Sequence, residues 1–317
     1  MMKKNILVTG CGSDIGQSIG HILKKWEHTG KLIGTDINGE NASKFIYDHF
    51  ILVPRCHDTN YNSALKKIID EFAIDLIIVG TEYELRMITE MNIEGNYFGL
   101  PLVAVDLETR KISFDKFKTG TFLKEHRLPH PFIFPITDHK KIEKFPVILK
   151  SRYGASGKLV ELIETEEQLL TNPHLNDPEY FLQEYLPGEK NEYTCCVYRD
   201  SSGNMLDIIF RRKLLEGFSF YGEVEHNNII SEFIKKIASE MNVTGSINLQ
   251  LRLVNDTPML FEINPRFSST VEFRHDFGFK DLIWSLEDKL GIKGEERNID
   301  SKWKYSKFYK AYTVFYE

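Results

Sequence analysis

Two rhythms of apolar residues run along the chain. Over its front part, short unbroken apolar runs at 5–9, 31–36, 74–79 and 102–105 alternate with stretches of helical periodicity at 17–26, 61–72 and 82–91. An unbroken run suits a strand buried on both faces, and a three-to-four-residue recurrence suits a helix packed on it. The alternation predicts a parallel sheet covered by helices.

The pattern then changes. A helix is predicted over 116–125, capped by Ser113 or Asp115 and stopped by Leu128-Pro129-His130-Pro131. Strands are predicted at 145–150, 159–163, 181–186, 192–198 and 206–210, with helices at 166–170 and 228–241. The stretch 245–254 alternates polar and apolar residues, so Asn248, Gln250 and Arg252 share one face of a strand. Asp256-Thr257-Pro258 reads as a turn, and 259–264 as the returning strand. Glu262 and Asn264 then share a face that Gln250 can meet.

Composition narrows the class without naming a chemistry. The 317 residues allow about two domains, or one with a lid. Charged residues are 27% and hydrophobic residues 42%, as in an ordinary folded domain. Forty basic against 46 acidic side chains give −6, so no global field favours nucleic acid. Cys11, Cys56, Cys195 and Cys196 form no C-x-x-C pair, and a reducing cytoplasm is the expected compartment. No apolar run has the length of a membrane helix, and the start of the chain lacks the apolar core of a signal peptide.

Three stretches carry candidate chemistry. At 261–270 the sequence is FEINPRFSST. Glu262, two amide oxygens from Gln250 and Asn264, and Arg266 suit a hard cation carrying phosphates. The bland alternative is a polar sheet edge. At 145–158, FPVILKSRYGASGK places Lys150 at a strand end before a small-residue loop whose N–H groups can cradle an anion. This is no Walker loop, because a second glycine would be needed at 159. The third stretch, Gly10 to Gly16, invites a dinucleotide reading. Its last glycine would have to stand at Ile15, and no tyrosine has a lysine four residues on, as a short-chain dehydrogenase requires. It serves equally as a tight turn, or as a helix N-terminus facing an acceptor anion.

Taken in order, Asp115-Lys116, Pro146 to Lys150, the glycine–serine loop, Gln183-Glu184, Glu192, Gln250 and Glu262-x-Asn264-x-Arg266 resemble the ATP-grasp superfamily. The likeness is to carboxylate–amine ligases and to single ATP-grasp units of the carbamoyl-phosphate synthetase large subunit, and it covers nearly the whole chain. It implies an α/β fold: a Rossmann-like pre-ATP-grasp domain at 1–112, a lid subdomain at 113–187 and a C-terminal subdomain with the metal site at 188–317. The two ATP-grasp parts would carry a mobile lid between them.

The resemblance also implies roles. Lys116 and Lys150 hold ATP phosphates, and Gly154, Ser156 and Gly157 belong to the loop covering them. Glu184 and Leu186 form the adenine hinge through backbone groups, and Glu192 meets the ribose. Gln250, Glu262 and Asn264 match the positions that hold two Mg²⁺ ions, with Mn²⁺ as a substitute. Arg266 faces the transferred phosphoryl group. Arg211 to Lys213 and Ser268 to Thr270 fall where an acceptor carboxylate is held, so Arg266, Lys150 and Arg212 form the catalytic set. YGASGK is less glycine-rich than the loop of many relatives.

The implied reaction activates a carboxylate as an acyl phosphate, which an amine then attacks, giving an amide, ADP and phosphate. Small carboxylates and amines are the expected partners, with no nucleic acid or membrane; a homodimer is allowed. Two other enzyme readings stand beside it: a carbamoyl-phosphate-synthetase-like enzyme acting on bicarbonate or carbamate, and an NAD(P)-dependent oxidoreductase. A nucleotide-binding scaffold without chemistry is the non-enzymatic reading.

Overall fold

The computed structural model describes residues 3–154, 160–188, 191–215, 218–294, 296–299 and 306–309. Its first part runs β1 (Lys4–Thr9), α1 (Asp14–Lys25), β2 (Thr29–Asp36), β3 (His49–Leu52), α2 (Tyr61–Phe72), β4 (Leu76–Val79), α3 (Glu82–Glu90), β5 (Asn96–Tyr97) and β6 (Leu100–Val103). The sheet order is β3-β2-β1-β4-β6-β5, parallel except for the short edge strand β5. Every residue of β4 is buried, as its unbroken apolar run requires. Leu7, Ile33 and Ile77 pack among residues of α2 and α3, whereas Ile6 and Val8 pack with α1.

Next come α4 (Leu107–Ser113), α5 (Lys116–Glu125), β7 (Ile133–Pro135), β8 (Val147–Ser151), β9 (Val160–Ile163), α6 (Glu166–Leu170) and β10 (Tyr180–Glu184). The four strands form an antiparallel sheet in the order β7-β10-β8-β9. The last part is β11 (Glu192–Arg199), β12 (Met205–Leu215), β13 (Phe218–Val224), α7 (Asn228–Glu240), β14 (Gly245–Val254), β15 (Thr257–Asn264), α8 (Val271–Asp276), α9 (Asp281–Leu290) and β16 (Lys307–Tyr309). Its antiparallel sheet has the order β15-β14-β11-β12-β13-β16.

The three sheets fall on either side of the limits expected at 112/113 and 187/188, but the packing crosses those limits. Phe122 and Leu123 of α5 share a core with Ile234 and Ile237 of α7 and with Leu249 and Ile263 of the last sheet. Phe267, Val271, Leu282 and Leu286 pack with Ile15, Ile19 and Ile22 on the α1 face of the first sheet. No helix among the described residues is long and apolar enough to cross a membrane.

The hairpin of β14 and β15 departs from the predicted turn by one residue. Asn255 and Asp256 make the turn, with φ of 48° and 59°, and Thr257 already belongs to the strand. Asn and Asp tolerate the left-handed region that a two-residue hairpin turn demands. Pro258 is accommodated because β15 is the sheet's edge. The pairing runs Val254↔Thr257 to Leu251↔Leu260, then resumes at Gln250↔Glu262 and Asn248↔Asn264. Phe261 is therefore an extra residue, a bulge immediately before Glu262.

Candidate active site

Cross-strand pairing puts Gln250 opposite Glu262 and Asn248 opposite Asn264. Asn264 donates its amide to Glu262 Oε1 at 3.2 Å. The buried Asn248 turns the other way, donating to Thr194 and to the Cys195 carbonyl. Burial alone would raise the Glu262 carboxyl. Lys116, Lys150, Arg212 and Arg266 outweigh that and hold it below the usual glutamate range. One carboxylate thus stands within reach of four cations drawn from α5, β8, β12 and the segment after β15.

Each cation is placed by a local feature. Lys116 opens α5, whose N-cap is Asp115: that carboxylate accepts from the Phe117 and Lys118 N–H groups. Lys116 Nζ donates to the Gly154 carbonyl at the start of the glycine–serine loop. Lys150 is the penultimate residue of β8 and is only 5% exposed. Its Nζ donates to the Phe261 carbonyl at 3.3 Å and lies 5.4 Å from the centre of the Phe181 ring. Burial pushes the Lys150 ammonium down to about 7; Glu262 opposes this and Lys116 reinforces it. Arg266 Nη2 donates to Glu82 Oε2 at 3.1 Å, and Nη1 donates to the Phe267 carbonyl.

Arg212 is the inward member of its cationic triplet, as strand alternation requires. It donates to Glu192 Oε1 through Nε and Nη2, and to Gln250 Oε1 at 2.8 Å. Arg211 pairs instead with Glu223 and Glu225, and Lys213 lies over the Tyr221 ring.

Two sets of expected ligand contacts have protein partners in this structure. Glu192 accepts four hydrogen bonds, two from Arg212 on Oε1 and two from Arg252 on Oε2, the closest at 2.7 and 2.8 Å. A carboxylate has about four acceptor positions, so a ribose hydroxyl meets an acceptor already filled. In this structure Glu192 anchors arginines. Ser268 and Thr270 likewise turn away from an acceptor: both hydroxyls receive Arg274 Nη1, at 2.7 and 2.8 Å. Arg274 is 1% exposed and paired with the equally buried Asp281 at 2.7 Å.

At the hinge, the Glu184 N–H donates to the Phe132 carbonyl, its carboxylate accepts from the Phe132 N–H, and the Leu186 carbonyl accepts from Arg252. Gly154 is the last described residue before the loop; Ser156 and Gly157 lie outside the described residues. Glu82, Arg86, Arg252 and Arg274 were not singled out by the sequence as site residues. Their partners are distant along the chain, and only the polar alternation of β14 drew attention to Arg252.

The site therefore joins a cationic cluster, one charged carboxylate and two amide side chains at the edge of an antiparallel sheet. Residues 176–306 match the family model described as "ATP-grasp in the biosynthetic pathway with Ter operon". These residues carry an ATP-grasp domain. Residues 6–103, the first sheet and its helices, match the model described as "PylC-like, N-terminal domain".

Among curated relatives, the carbamoyl phosphate synthase large chain of Thermoanaerobacter sp. (strain X514) is 27% identical over 197 residues. The match covers 55% of this chain and 18% of that protein, so the chain spans only a small part of the relative's length. Two solved structures share the fold. N5-carboxyaminoimidazole synthetase from Staphylococcus aureus, complexed with ADP, gives a TM-score of 0.72 at 17% identity, covering 90% of this chain and 78% of that one. The biotin carboxylase domain of the Hydrogenobacter thermophilus 2-oxoglutarate carboxylase, with MgADP and bicarbonate, gives 0.74 at 14%, covering 96% and 73%. The α/β architecture and the superfamily expected from the sequence are borne out.

Proposed function

We propose that this protein is an ATP-dependent carboxylate–amine ligase that makes an amide through an acyl phosphate. The observation that carries the reading is the convergence of Lys116, Lys150, Arg212 and Arg266 around Glu262. Glu82 pairs with Arg266, and Glu192 is shared by Arg212 and Arg252, so even with the Glu262 carboxylate the cluster keeps an excess of positive charge to meet a polyanion. A triphosphate tail is such a polyanion.

The donor set fits Mg²⁺. Among the described residues no group of three His, Cys, Asp or Glu side chains could hold a metal. Mg²⁺ needs no such cage, since it binds through one or two carboxylates, waters and substrate phosphates. Glu262, kept ionised by its neighbours, and the amide oxygens of Gln250 and Asn264 would hold it. Gln250 Oε1 keeps a second lone pair beside its bond from Arg212. When bound, the ion offsets charge on the phosphates; two ions are proposed, with Mn²⁺ as a substitute.

The chain's own residues do the rest. Lys116 and Lys150 hold the phosphates, and Gly154 begins the loop that covers them. The 184–186 hinge seats the adenine. Arg266 stabilises the γ-phosphoryl group as it passes to a carboxylate oxygen and ADP departs. The amine nitrogen then bonds to the acyl carbon, the C–O bond to phosphate breaks, and the nitrogen gives up a proton. Arg212 acts through Gln250 and Glu192. The proposed division is 1–112, 113–187 and 188–317. Four unpaired cysteines fit the cytoplasm as its compartment.

A screen of acids against amines for ADP and phosphate release tests this. Release that needs Mg²⁺, an acid and an amine together supports the reading. Release driven by bicarbonate alone turns it toward the carbamoyl-phosphate-synthetase-like alternative.

A further inference from the structure

Helix α3 belongs to the first sheet, yet two of its side chains reach the candidate nucleotide site. Glu82 and Arg86 are one helical turn apart and so share a face. Glu82 Oε2 accepts from Arg266 Nη2 at 3.1 Å, with both side chains mostly shielded, at 17% and 15% exposure. Four residues on, the Arg86 guanidinium lies over the Tyr153 ring, its carbon 4.2 Å from the ring centre.

Tyr153 immediately precedes Gly154, where the glycine–serine loop begins. Its hydroxyl is 3.4 Å from Asp115 Oδ2, the same carboxylate that pairs with Arg152 and caps α5 ahead of Lys116. One face of α3 therefore touches both ends of the site: the arginine assigned to the phosphoryl group, and the root of the loop assigned to cover it.

The glycine turn near the start of the chain supplies the mount. Gly10 has φ of +57°, and a Cβ there would stand 2.1 Å from Thr81 Cγ2. Thr81 is the N-cap of α3, accepting from the Glu84 N–H. The turn is thus pressed against the start of α3. At Gly12 the N–H is already bound to Asp36 Oδ2, at 2.8 Å. Packing against the start of α3 thus accounts for Gly10, whereas Gly12 is hemmed in by Asn41 and Asp36 and Gly16 by the Cys11 backbone.

We propose that Glu82 is a positioning residue for Arg266 and Arg86 one for Tyr153, so that α3 sets the phosphoryl end of the site from the first sheet. This rests on Arg266 facing the transferred phosphoryl group, as argued above. Glu82 and the Phe267 carbonyl engage one N–H on each terminal nitrogen of the guanidinium, which fixes its plane. The remaining edge stays available for a phosphoryl oxygen. Without Glu82 the plane can rotate, and misplacement of a group acting in the transition state lowers turnover more than ground-state binding.

The test uses the full chain with Glu82→Gln, Glu82→Asp and Arg86→Ala. It measures the Kd for ADP–Mg²⁺ by calorimetry, Tm, and kcat and KM for ATP with the acid–amine pair found in the screen. Glu82→Gln is expected to lower kcat by about tenfold or more while the Kd stays within about threefold. Glu82→Asp, which keeps the charge, should recover part of that loss. Arg86→Ala is expected to act mainly on the KM for ATP, by about threefold or more.

Wild-type kcat in Glu82→Gln overturns the proposal. So does a parallel fall of kcat, affinity and Tm that Glu82→Asp does not relieve, because that is the signature of a general structural role. A wild-type chain that neither binds ADP–Mg²⁺ nor releases ADP overturns the ligase reading, and this inference with it. That result is separate from an active wild type with an indifferent Glu82→Gln.

Discussion

Lys150 Nζ donates to the carbonyl of Phe261 at 3.3 Å, and this contact ties the second sheet to the edge of the third. It exists because Phe261 is the bulged residue of β15, with no partner on β14 to pair with. The bulge both frees an acceptor for the lysine and re-aims Glu262, the next residue, toward the cations. Deleting Phe261 would leave Glu262 opposite Gln250 on the same face, but it would remove the acceptor of Lys150 and straighten the strand that aims the carboxylate at the cations. Such a deletion is expected to leave a folded protein that no longer binds ADP–Mg²⁺, as calorimetry would show.

Glu262→Ala is expected to lower Mg²⁺-dependent ADP release by about a hundredfold or more, with Tm moving by only a few degrees. The side chain is half-buried and lies outside the hydrophobic cores. Turnover near that of the wild type would remove Glu262 from the mechanism.

Arg274→Met leaves Asp281 buried without its cation, because both are at most 1% exposed and pair at 2.7 Å. Breaking one half of a buried pair costs about 3–5 kcal/mol, and urea unfolding should show a loss of that order. The double variant Arg274→Met, Asp281→Leu should recover much of it. Equal destabilisation by the single and double variants would mean that the loss comes from packing alone.

Glu84 sets a pH dependence away from the metal-binding candidates. It is 3% exposed, it accepts from Tyr61, and burial raises its carboxyl from 4.5 to about 7, against the opposing pull of neighbouring hydroxyls. The folded chain therefore holds this proton more tightly than the unfolded one. Its contribution weakens as pH rises from about 4.5 through about 7 and is fully lost above that, a change on the order of 3 kcal/mol. Glu84→Gln cannot titrate, so the difference between its urea midpoint and that of the wild type should grow between pH 5 and pH 8. A constant difference would place the Glu84 pKa near its ordinary value.

The nicotinamide reading gives the opposite thermal-shift pattern from the ligase reading. ATP–Mg²⁺ is expected to raise Tm at saturating concentration, and NAD(P)H to leave it unchanged. Protection by NAD(P)H alone would return attention to the glycine turn.

The elements legible in the sequence are those whose partners lie close by. Helices α2 and α5 occupy their predicted spans, and β14 with its alternation gave the pairing face of Gln250 and Asn248. The bulge at Phe261 was not legible, because period-two alternation on both sides of it looks continuous. Nor was the inward turn of Ser268 and Thr270, which depends on Arg274 and Asp281 closing behind them. The engagement of Glu192 by two arginines from different strands follows from the order of β12, β11 and β14, which no local pattern encodes. The contact of Arg266 with Glu82 spans 184 positions and belongs wholly to the tertiary fold.

The seating of α8 and α9 on the first sheet bears on how the protein can be cut. Ile15, Ile19, Ile22 and Val103 are covered by Phe267, Val271 and Leu282 from the far end of the sequence. A fragment ending near residue 112 would present that oily flank to water and should aggregate or recruit a substitute cover. Three sheets, in this molecule, do not amount to three separable folding units.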